Sequence, residues 1–185
     1  MQAVWKSKGK KLHKRNIAVT TYNYDEQRMI VEGILKDDRL HEYHMITGEI
    51  KPRGVIHYMS ISLLVNCSNL SIEDIDVDLM SVPEKECLQT IGCLASLKGL
   101  TITRGFTAKV KKIAGGKKGC THLMELLLVM APAAIQGLIA YRAQKASAFN
   151  HDRAKRAVEY LIDTCHAWSE DGPFVKRYKH LLNKN

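Results

Sequence analysis

The sequence predicts an α+β fold, in which an antiparallel sheet of five to six strands carries about three helices packed on one face. The first half of the chain contains short runs rich in β-branched and aromatic residues, separated by turn residues, which is typical of antiparallel strands. The second half contains longer apolar runs that are preceded by helix-start signals. We therefore expect a basic, disordered leader at residues 1–16 and a single α+β domain at residues 17–185.

The strands are predicted from local composition and from alternation. Residues 55–65, VIHYMSISLLV, give the strongest pattern, because two sets of side chains alternate and His57 falls in the more apolar set. Residues 17–24 and 28–35 predict a hairpin around the turn residues DEQ. The other predicted strands are residues 40–46, residues 68–80 and residues 100–113, the last interrupted near Gly105.

The helices are predicted from capping residues and apolar spacing. The first is expected from Ser81, a suitable N-cap, to about residue 97. The second begins at Cys120 or Thr121, and Pro132 should kink or split it. The third is expected at residues 152–168, with a cap at Asn150.

Composition excludes several classes of protein. With 185 residues, of which 45% are apolar and 25% charged, the chain resembles a soluble globular protein. The N-terminus has no apolar signal sequence, and the longest apolar run, residues 126–135, is too short to cross a bilayer. Five cysteines without framework-like spacing favour a reducing compartment. We expect a cytoplasmic protein with no membrane partner.

The positive charge lies mostly at the N-terminus. The formal net charge is +9, and residues 1–16 contribute +6 of it, which leaves +3 for the rest of the chain. A nucleic-acid-binding domain usually has a clustered basic stripe with aromatic residues between the charges. The distribution instead favours a solvated leader. Nucleic acid is therefore not an expected partner, while an anionic small molecule or a partner protein remains open.

The chemistry of the sequence centres on residues 115–123, GGKKGCTHL. Cys120 falls where a helix should start, so the helix dipole and the lysines beside it favour the thiolate. Cys120 is thus a candidate reactive or metal-binding sulfur. The glycine-rich turn also presents free N–H groups, and Lys117, Lys118 and Gly119 are candidates for binding an anion.

A second pair, Cys165 and His166, completes a possible metal site. Together with Cys120 and His122 it gives two cysteines and two histidines, a ligand set that suits zinc or iron. If the two helices pack side by side, the start of one meets the end of the other. His57 and Cys87 are further candidate ligands. The alternative is that the cysteines pack as small apolar residues.

Three functional hypotheses follow. The first is a metal-binding accessory or carrier protein. The second is an enzyme in which Cys120 is the nucleophile and His122 or His166 the base, acting on an acyl or anionic substrate such as a CoA thioester. The third is a non-catalytic binding module with a basic tail.

Several segments resemble a bacterial family known as domain of unknown function 2889. They cover roughly residues 15–178 and comprise VEGILKDD, VIHYMSISLLV, PEKEC, LKGLTITRGF, GCTHLMELL and DTCHAWSEDGP. The family more often has HDM where this chain has HYM, so the acidic residue beside His57 is absent. The resemblance implies the same set of site residues: His57, Cys87, Cys120, His122, Cys165 and His166. A fainter likeness to iron–sulfur scaffold proteins rests on a cysteine at a glycine-rich junction before a helix and a later Cys/His pair, here in the reverse order.

Overall fold

The computed structural model of the protein describes residues 6–144 and 151–182. Contacts divide the chain into two compact units, Met1–Arg142 and Ala143–Asn185, and each is described by itself. The single domain expected at residues 17–185 stays a prediction. The first unit contains the sheet, and the described residues of the second form helices and turns.

The first unit is built on a four-stranded antiparallel sheet. Its strands are β1 (His13–Asn23), β2 (Arg28–Arg39), β5 (Gly54–Asn66) and β6 (Ile72–Ser81), in the order β1-β2-β5-β6. Two further strands, β3 (Tyr43–His44) and β4 (Ile50–Lys51), pair with each other in a separate two-stranded sheet.

The antiparallel α+β class is confirmed, but the sheet of five to six strands is wrong. The strand predicted at residues 40–46 contributes only the short β3, which pairs with β4 and not with the main sheet. Strand β1 begins at His13, so residues 13–16 of the predicted leader belong to the sheet. Arg28 to Leu35 is confirmed as a strand, and β2 extends it to Arg39.

The strand predicted at residues 100–113 is wrong: Thr101 makes only an isolated β-bridge with Ser71, and the segment then turns into a helix. Helix α1 spans Phe106–Ala114 and begins after Gly105, whose φ of 85° lies in the left-handed region. The buried residues of α1 are Phe106, Val110 and Ala114, spaced four apart as on one face of a helix. This spacing outweighed the β-branched residues that suggested a strand.

The helix predicted from Ser81 to residue 97 is also wrong. That segment contains only two short 3-10 turns, Lys85–Thr90 and Ala95–Leu97, joined by further turns. None of the residues of the first turn is buried, so it lacks the packed apolar face that stabilises most helices in proteins.

Helix α2, Thr121–Ala143, is the central helix of the first unit, and it continues through Pro132 without being split there. Among the described residues it is the one helix long and apolar enough to cross a membrane by length and composition. The apolar stretch is thus longer than residues 126–135 suggested. Its buried residues belong to the core and are Leu123, Leu126, Leu127, Met130, Ala131, Ala134, Gly137 and Leu138.

One face of the sheet packs against α2. The buried residues of β2 and β5 are paired across the two strands, as Met29 with Val65 and Leu35 with Met59. A Cβ added at Gly137 would lie 2.5 Å from Cγ2 of Thr21, so the absence of a side chain there allows α2 to lie directly on β1.

The second unit contains α3 (His151–Leu161), a 3-10 turn (His166–Trp168) and α4 (Pro173–Leu182). The rings of Trp168, Phe174 and Tyr178 pack together, with centroids 4.9–5.7 Å apart. The predicted helix at residues 152–168 therefore ends early, at Leu161. Asp163 then adopts a left-handed φ of 59°, which breaks the helix. The predicted cap at Asn150 lies outside the described residues.

We expect Leu127→Ala to lower the free energy of unfolding of the first unit by about 2–5 kcal/mol, because the substitution leaves a cavity under the sheet. Leu127 is fully buried, whereas Val129 on the same helix is 44% exposed. Urea denaturation followed by circular dichroism measures the loss, and Val129→Ala is the control, expected to cost less than about 1 kcal/mol. Equal losses in the two variants would contradict this packing of α2.

Candidate functional site

The site begins with a directly opposed pair on the core face of the sheet. Asp37 of β2 and His57 of β5 are register partners, and the register shifts just beyond them, between Asp37 and Asp38. Irregularities of this kind often lie next to functional sites, where they change the direction of a side chain. Asp37 is only 1% exposed, and it is the one buried charged residue among those described.

Arg15 holds the carboxylate of Asp37 with two hydrogen bonds. Its Nε donates to Oδ1 and its second terminal nitrogen donates to Oδ2, both at 2.7 Å. The pair forms because Arg15 of β1 is the register partner of Asp37. The remaining guanidinium nitrogen donates to Oε2 of Glu125 on α2 at 2.8 Å, and His13 Nε2 lies 3.4 Å from Oδ1 of Asp37. These contacts connect β1, β2 and α2.

The hydrogen bonds from Arg15 lower the pKa of Asp37 from its ordinary 3.8 to about 2, against the opposing effect of burial and with a smaller contribution from His57. Asp37 is therefore ionised at neutral pH and can only accept hydrogen bonds.

An ionised Asp37 determines the tautomer of His57. The Nδ1 of His57 lies 3.0 Å from Oδ2 of Asp37, so Nδ1–H must be the donor. Neutral His57 then carries its lone pair on Nε2, which is available to a metal ion or a proton. The ring of His57 packs against that of His122, with centroids 3.8 Å apart and an interplanar angle of 32°.

Helix α2 contributes Cys120 and His122 from its first turn. The carbonyl of Cys120 accepts the N–H of Met124 at 3.0 Å, so Cys120 caps the helix that starts at Thr121. The thiol of Cys120 lies 3.9 Å from Nδ1 of His122. The prediction that the helix starts at Cys120 or Thr121 is thereby confirmed.

The helix terminus makes Cys120 acidic. Burial raises the pKa of the thiol, but the hydrogen bond with His122 and the backbone N–H groups of Leu123 and His122 outweigh burial, so the pKa is lowered overall. Burial raises the pKa of Cys67 and of Cys93. Cys120 is accordingly more acidic than these two cysteines.

Lysines contribute less to this effect than the sequence suggested. The ammonium group of Lys118 donates a hydrogen bond to the carbonyl of Lys112 at 2.9 Å. Lys117 is exposed on the same 3-10 turn, Gly116–Lys118. Gly119 is extended, and a Cβ there would lie 2.7 Å from the carbonyl oxygen of Ala114. Close packing therefore explains why residue 119 is a glycine. The anion site at Lys117, Lys118 and Gly119 stays a prediction.

One ligand atom each of Asp37, His57 and His122 lie within 4.8 Å of one another, and Cys120 adjoins this group through His122. Imidazole, thiolate and carboxylate are all ligands of zinc and iron. We refer to Asp37, His57, Cys120 and His122 as the Asp/His/Cys cluster. It contains three of the six metal ligands predicted from the sequence.

The other predicted ligands are carried by other elements. Cys87 is half-buried in the 3-10 turn Lys85–Thr90. Cys165 and His166 belong to the second unit, where both are exposed and lie after the end of α3 and not on it. A metal site that joins Cys120 to Cys165 stays a prediction.

Asp37 and Arg15 are the site residues that the sequence analysis missed. The family more often has an acidic residue at position 58, directly after His57. A side chain at that position points to the opposite face of the sheet from His57, because side chains alternate along a strand. Asp37 supplies the acid from the neighbouring strand. A signal was present, because Asp37 continues the buried positions Met29, Val31 and Leu35 at two-residue spacing, and a carboxylate at such a position requires a partner.

The comparisons with known proteins give one match. Residues 13–136 match the family described as "Protein of unknown function (DUF2889)". The matched range includes the whole Asp/His/Cys cluster and ends before Cys165. No curated protein and no solved structure matches the chain.

We expect Asp37→Asn to lower the free energy of unfolding at neutral pH by about 1–3 kcal/mol, because Arg15 and His57 lose a buried charged acceptor. The folded-state pKa of Asp37 is depressed from 3.8 to about 2, so its contribution is fully present above the unfolded value and is lost as pH falls through the folded value. Denaturation curves should therefore converge for the two proteins between about pH 4 and pH 2.

The control for this substitution is Asp38→Asn, the next residue of β2, which lies on the other face of the sheet. It should leave stability nearly unchanged at all pH values. A constant difference between the Asp37→Asn variant and the unsubstituted protein across this range would mean that the ion pair does not account for the loss.

We expect Cys120 to be alkylated faster than Cys67 and Cys93 in the folded protein at neutral pH, because its thiolate is the better stabilised. His122→Ala should slow alkylation of Cys120, while His44→Ala, which removes an exposed histidine of β3, should not. Limited reaction with iodoacetamide, quantified for each thiol by mass spectrometry, measures the order. Faster modification of Cys93 would contradict the argument from the helix terminus.

Proposed function

Since the chain belongs to the DUF2889 family of proteins of unknown function, we propose its function from the site itself: it is a metal-binding accessory or carrier protein that holds zinc or iron at the Asp/His/Cys cluster. The observation that carries the proposal is that ligand atoms of Asp37, His57 and His122 lie within 4.8 Å of one another, with the thiol of Cys120 3.9 Å from His122. Two imidazoles and a thiolate are a common ligand set for zinc.

The distances support a shared ion. Zinc–sulfur bonds of about 2.3 Å and zinc–nitrogen bonds of about 2.0–2.1 Å place tetrahedral ligand atoms roughly 3–4 Å apart. The sulfur of Cys120 and Nδ1 of His122 are 3.9 Å apart, within that range. An imidazole and a thiolate of this pair can therefore bind one metal ion from the first turn of α2 without moving the helix.

Asp37 acts as the partner that orients His57. Both of its oxygens accept hydrogen bonds from Arg15, and Oδ2 also accepts Nδ1–H of His57. Metal-bound histidines commonly donate their other N–H to a carboxylate, which fixes the ring and raises its basicity. In this arrangement Nε2 of His57 is the ligand atom, and Arg15 compensates the charge of the carboxylate.

The carrier role follows from partial exposure of the site. Asp37 is buried, while His57, Cys120 and His122 are only half-buried, so an ion bound to them remains within reach of a partner. Cys165 and His166 stay predicted as further ligands. Reduced thiol ligands fit a cytoplasmic location. Thiolate and imidazole are also ligands of iron, so the proposal includes iron beside zinc.

We expect the reduced, metal-free chain to bind one Zn²⁺ ion. His57→Ala, His122→Ala and Cys120→Ser should each weaken binding by at least about tenfold, and Asp37→Asn by about 10–100-fold as for other partners of metal ligands. Isothermal titration at several pH values measures the affinity. Binding should weaken as pH falls, because the ligands must lose protons to bind the ion.

Cobalt(II) serves as a spectroscopic substitute. A sulfur-to-cobalt absorption band should appear with the unsubstituted chain and disappear in Cys120→Ser, whereas His44→Ala should retain it as the matched control. Unchanged affinity in Cys120→Ser and His122→Ala, with folded variants, would contradict the proposal.

A second candidate function is favoured by the contact between Cys120 and His122. An acidic thiol 3.9 Å from an imidazole is the arrangement of a nucleophile and its base, which suits transfer of an acyl group from an anionic, CoA-like substrate. One measurement distinguishes the two functions: the activity of the metal-free chain before and after alkylation of Cys120. An enzyme of this type turns over without metal and is inactivated by alkylation of Cys120.

A further inference from the structure

The half-buried thiol of Cys93 lies next to the residue that precedes Cys120. Cys93 comes between the 3-10 turns Lys85–Thr90 and Ala95–Leu97 and packs against the core of the first unit. A Cβ added at Gly119 would lie 3.0 Å from Sγ of Cys93 and 3.1 Å from its Cβ. The side chain of Cys93 therefore packs directly on the backbone at the start of α2.

The two thiols also interact electrostatically. Burial has the largest effect on Cys93 and raises its pKa, the backbone N–H of Cys120 opposes this by hydrogen bonding, and the nearby Cys120 thiol raises it further. The hydrogen bond from the backbone of Cys120 to the thiol of Cys93, together with the packing of Cys93 on Gly119, places the two cysteines side by side. A reactive cysteine next to a resolving cysteine is typical of redox-sensitive pairs.

We propose that Cys93 and Cys120 form a reversible dithiol–disulfide pair, in which Cys120 reacts with hydrogen peroxide and Cys93 resolves the product. Cys93 is not among the candidate ligands predicted from the sequence, and its separation from Cys120 along the chain gives no sign of a pair. Only the fold brings the turn that carries Cys93 against Gly119.

The reaction has two steps. The thiolate of Cys120 attacks one oxygen of hydrogen peroxide, the O–O bond breaks, and Cys120 becomes a sulfenic acid while the released hydroxide takes up a proton to form water. The sulfur of Cys93 then loses its proton and attacks the sulfur of Cys120. The S–S bond forms and the S–O bond breaks, and the second hydroxide leaves as water. Both sulfurs are oxidised by one electron each, and the peroxide is reduced to two molecules of water.

The disulfide would also control the metal site. A sulfur of Cys120 that is bonded to Cys93 is no longer a thiolate and cannot bind zinc. This second statement rests on the proposed function, whereas formation of the disulfide does not.

The test uses the full chain, reduced and freed of metal by a chelator, then treated with hydrogen peroxide. We expect an intact mass lower by two hydrogen atoms and, after digestion with trypsin, a cross-link between the peptide of residues 86–98 and the peptide that contains Cys120. A reductant should reverse the cross-link. The peptide of residues 86–98 also contains Cys87, so two variants are needed.

Cys87→Ser is the matched control and should retain the cross-link. Cys93→Ser should lose it, and Cys120 should accumulate as sulfinic acid because nothing resolves the sulfenic acid. A cross-link that persists in Cys93→Ser would overturn the proposal. So would oxidation of Cys120 to sulfinic acid in the folded, unsubstituted chain with no cross-link.

Zinc titration of the oxidised and reduced chains tests the effect of the disulfide on the metal site separately from formation of the disulfide. We expect oxidation to weaken zinc binding by at least about tenfold, as loss of a group that supports the site would. A disulfide that forms without any change in zinc affinity leaves the dithiol pair standing and contradicts the metal site at Cys120.

Discussion

The ion pair between Arg15 and the buried Asp37 is the interaction on which the site depends. An isolated carboxylate would cost several kcal/mol to bury, so a position like that of Asp37 exists only because a partner on β1 neutralises it. The pair fixes the orientation of the carboxylate, the carboxylate fixes the tautomer of His57, and His57 packs on His122. Arg15, Asp37, His57 and His122 thus form one continuous chain of side-chain contacts.

Sheet register and helix placement position these groups together. Arg15 faces Asp37 across β1 and β2, and Asp37 faces His57 across β2 and β5. Helix α2 starts beside this end of the sheet, and the Gly137–Thr21 contact brings its other end close to β1. The apolar core therefore acts on the chemistry indirectly, because it holds the helix that carries Cys120 and His122.

The fold class and the start of α2 were predictable from the sequence, and so were Cys120, His122 and His57. These features depend on short stretches of sequence. Alternation in residues 55–65 indicates a strand, and a glycine-rich turn before an apolar run indicates the start of a helix. The errors have local causes as well. In residues 100–113 the β-branched residues suggest a strand, but the four-residue spacing of Phe106, Val110 and Ala114 belongs to a buried helix face. The strand predicted at residues 40–46 has no partner in the main sheet. Asp37 and Arg15 escaped because a pair formed across strands depends on register, which composition does not determine.

The cluster and the residues that hold it lie far apart along the chain. Asp37 and His57 are separated by 20 positions, and Arg15, which holds Asp37, lies 110 positions from its other partner Glu125. An unfolded chain holds no such arrangement, so a ligand of the whole cluster binds the native state more tightly than the unfolded one. A ligand of that kind stabilises the fold by mass action, by about 2.7 kcal/mol at a free concentration one hundred times its dissociation constant. Were the proposed ion bound there, loading and folding would be one thermodynamic process: the supply of the ion in the cell would govern how long the protein survives proteolysis, since each opened molecule would first have to release it.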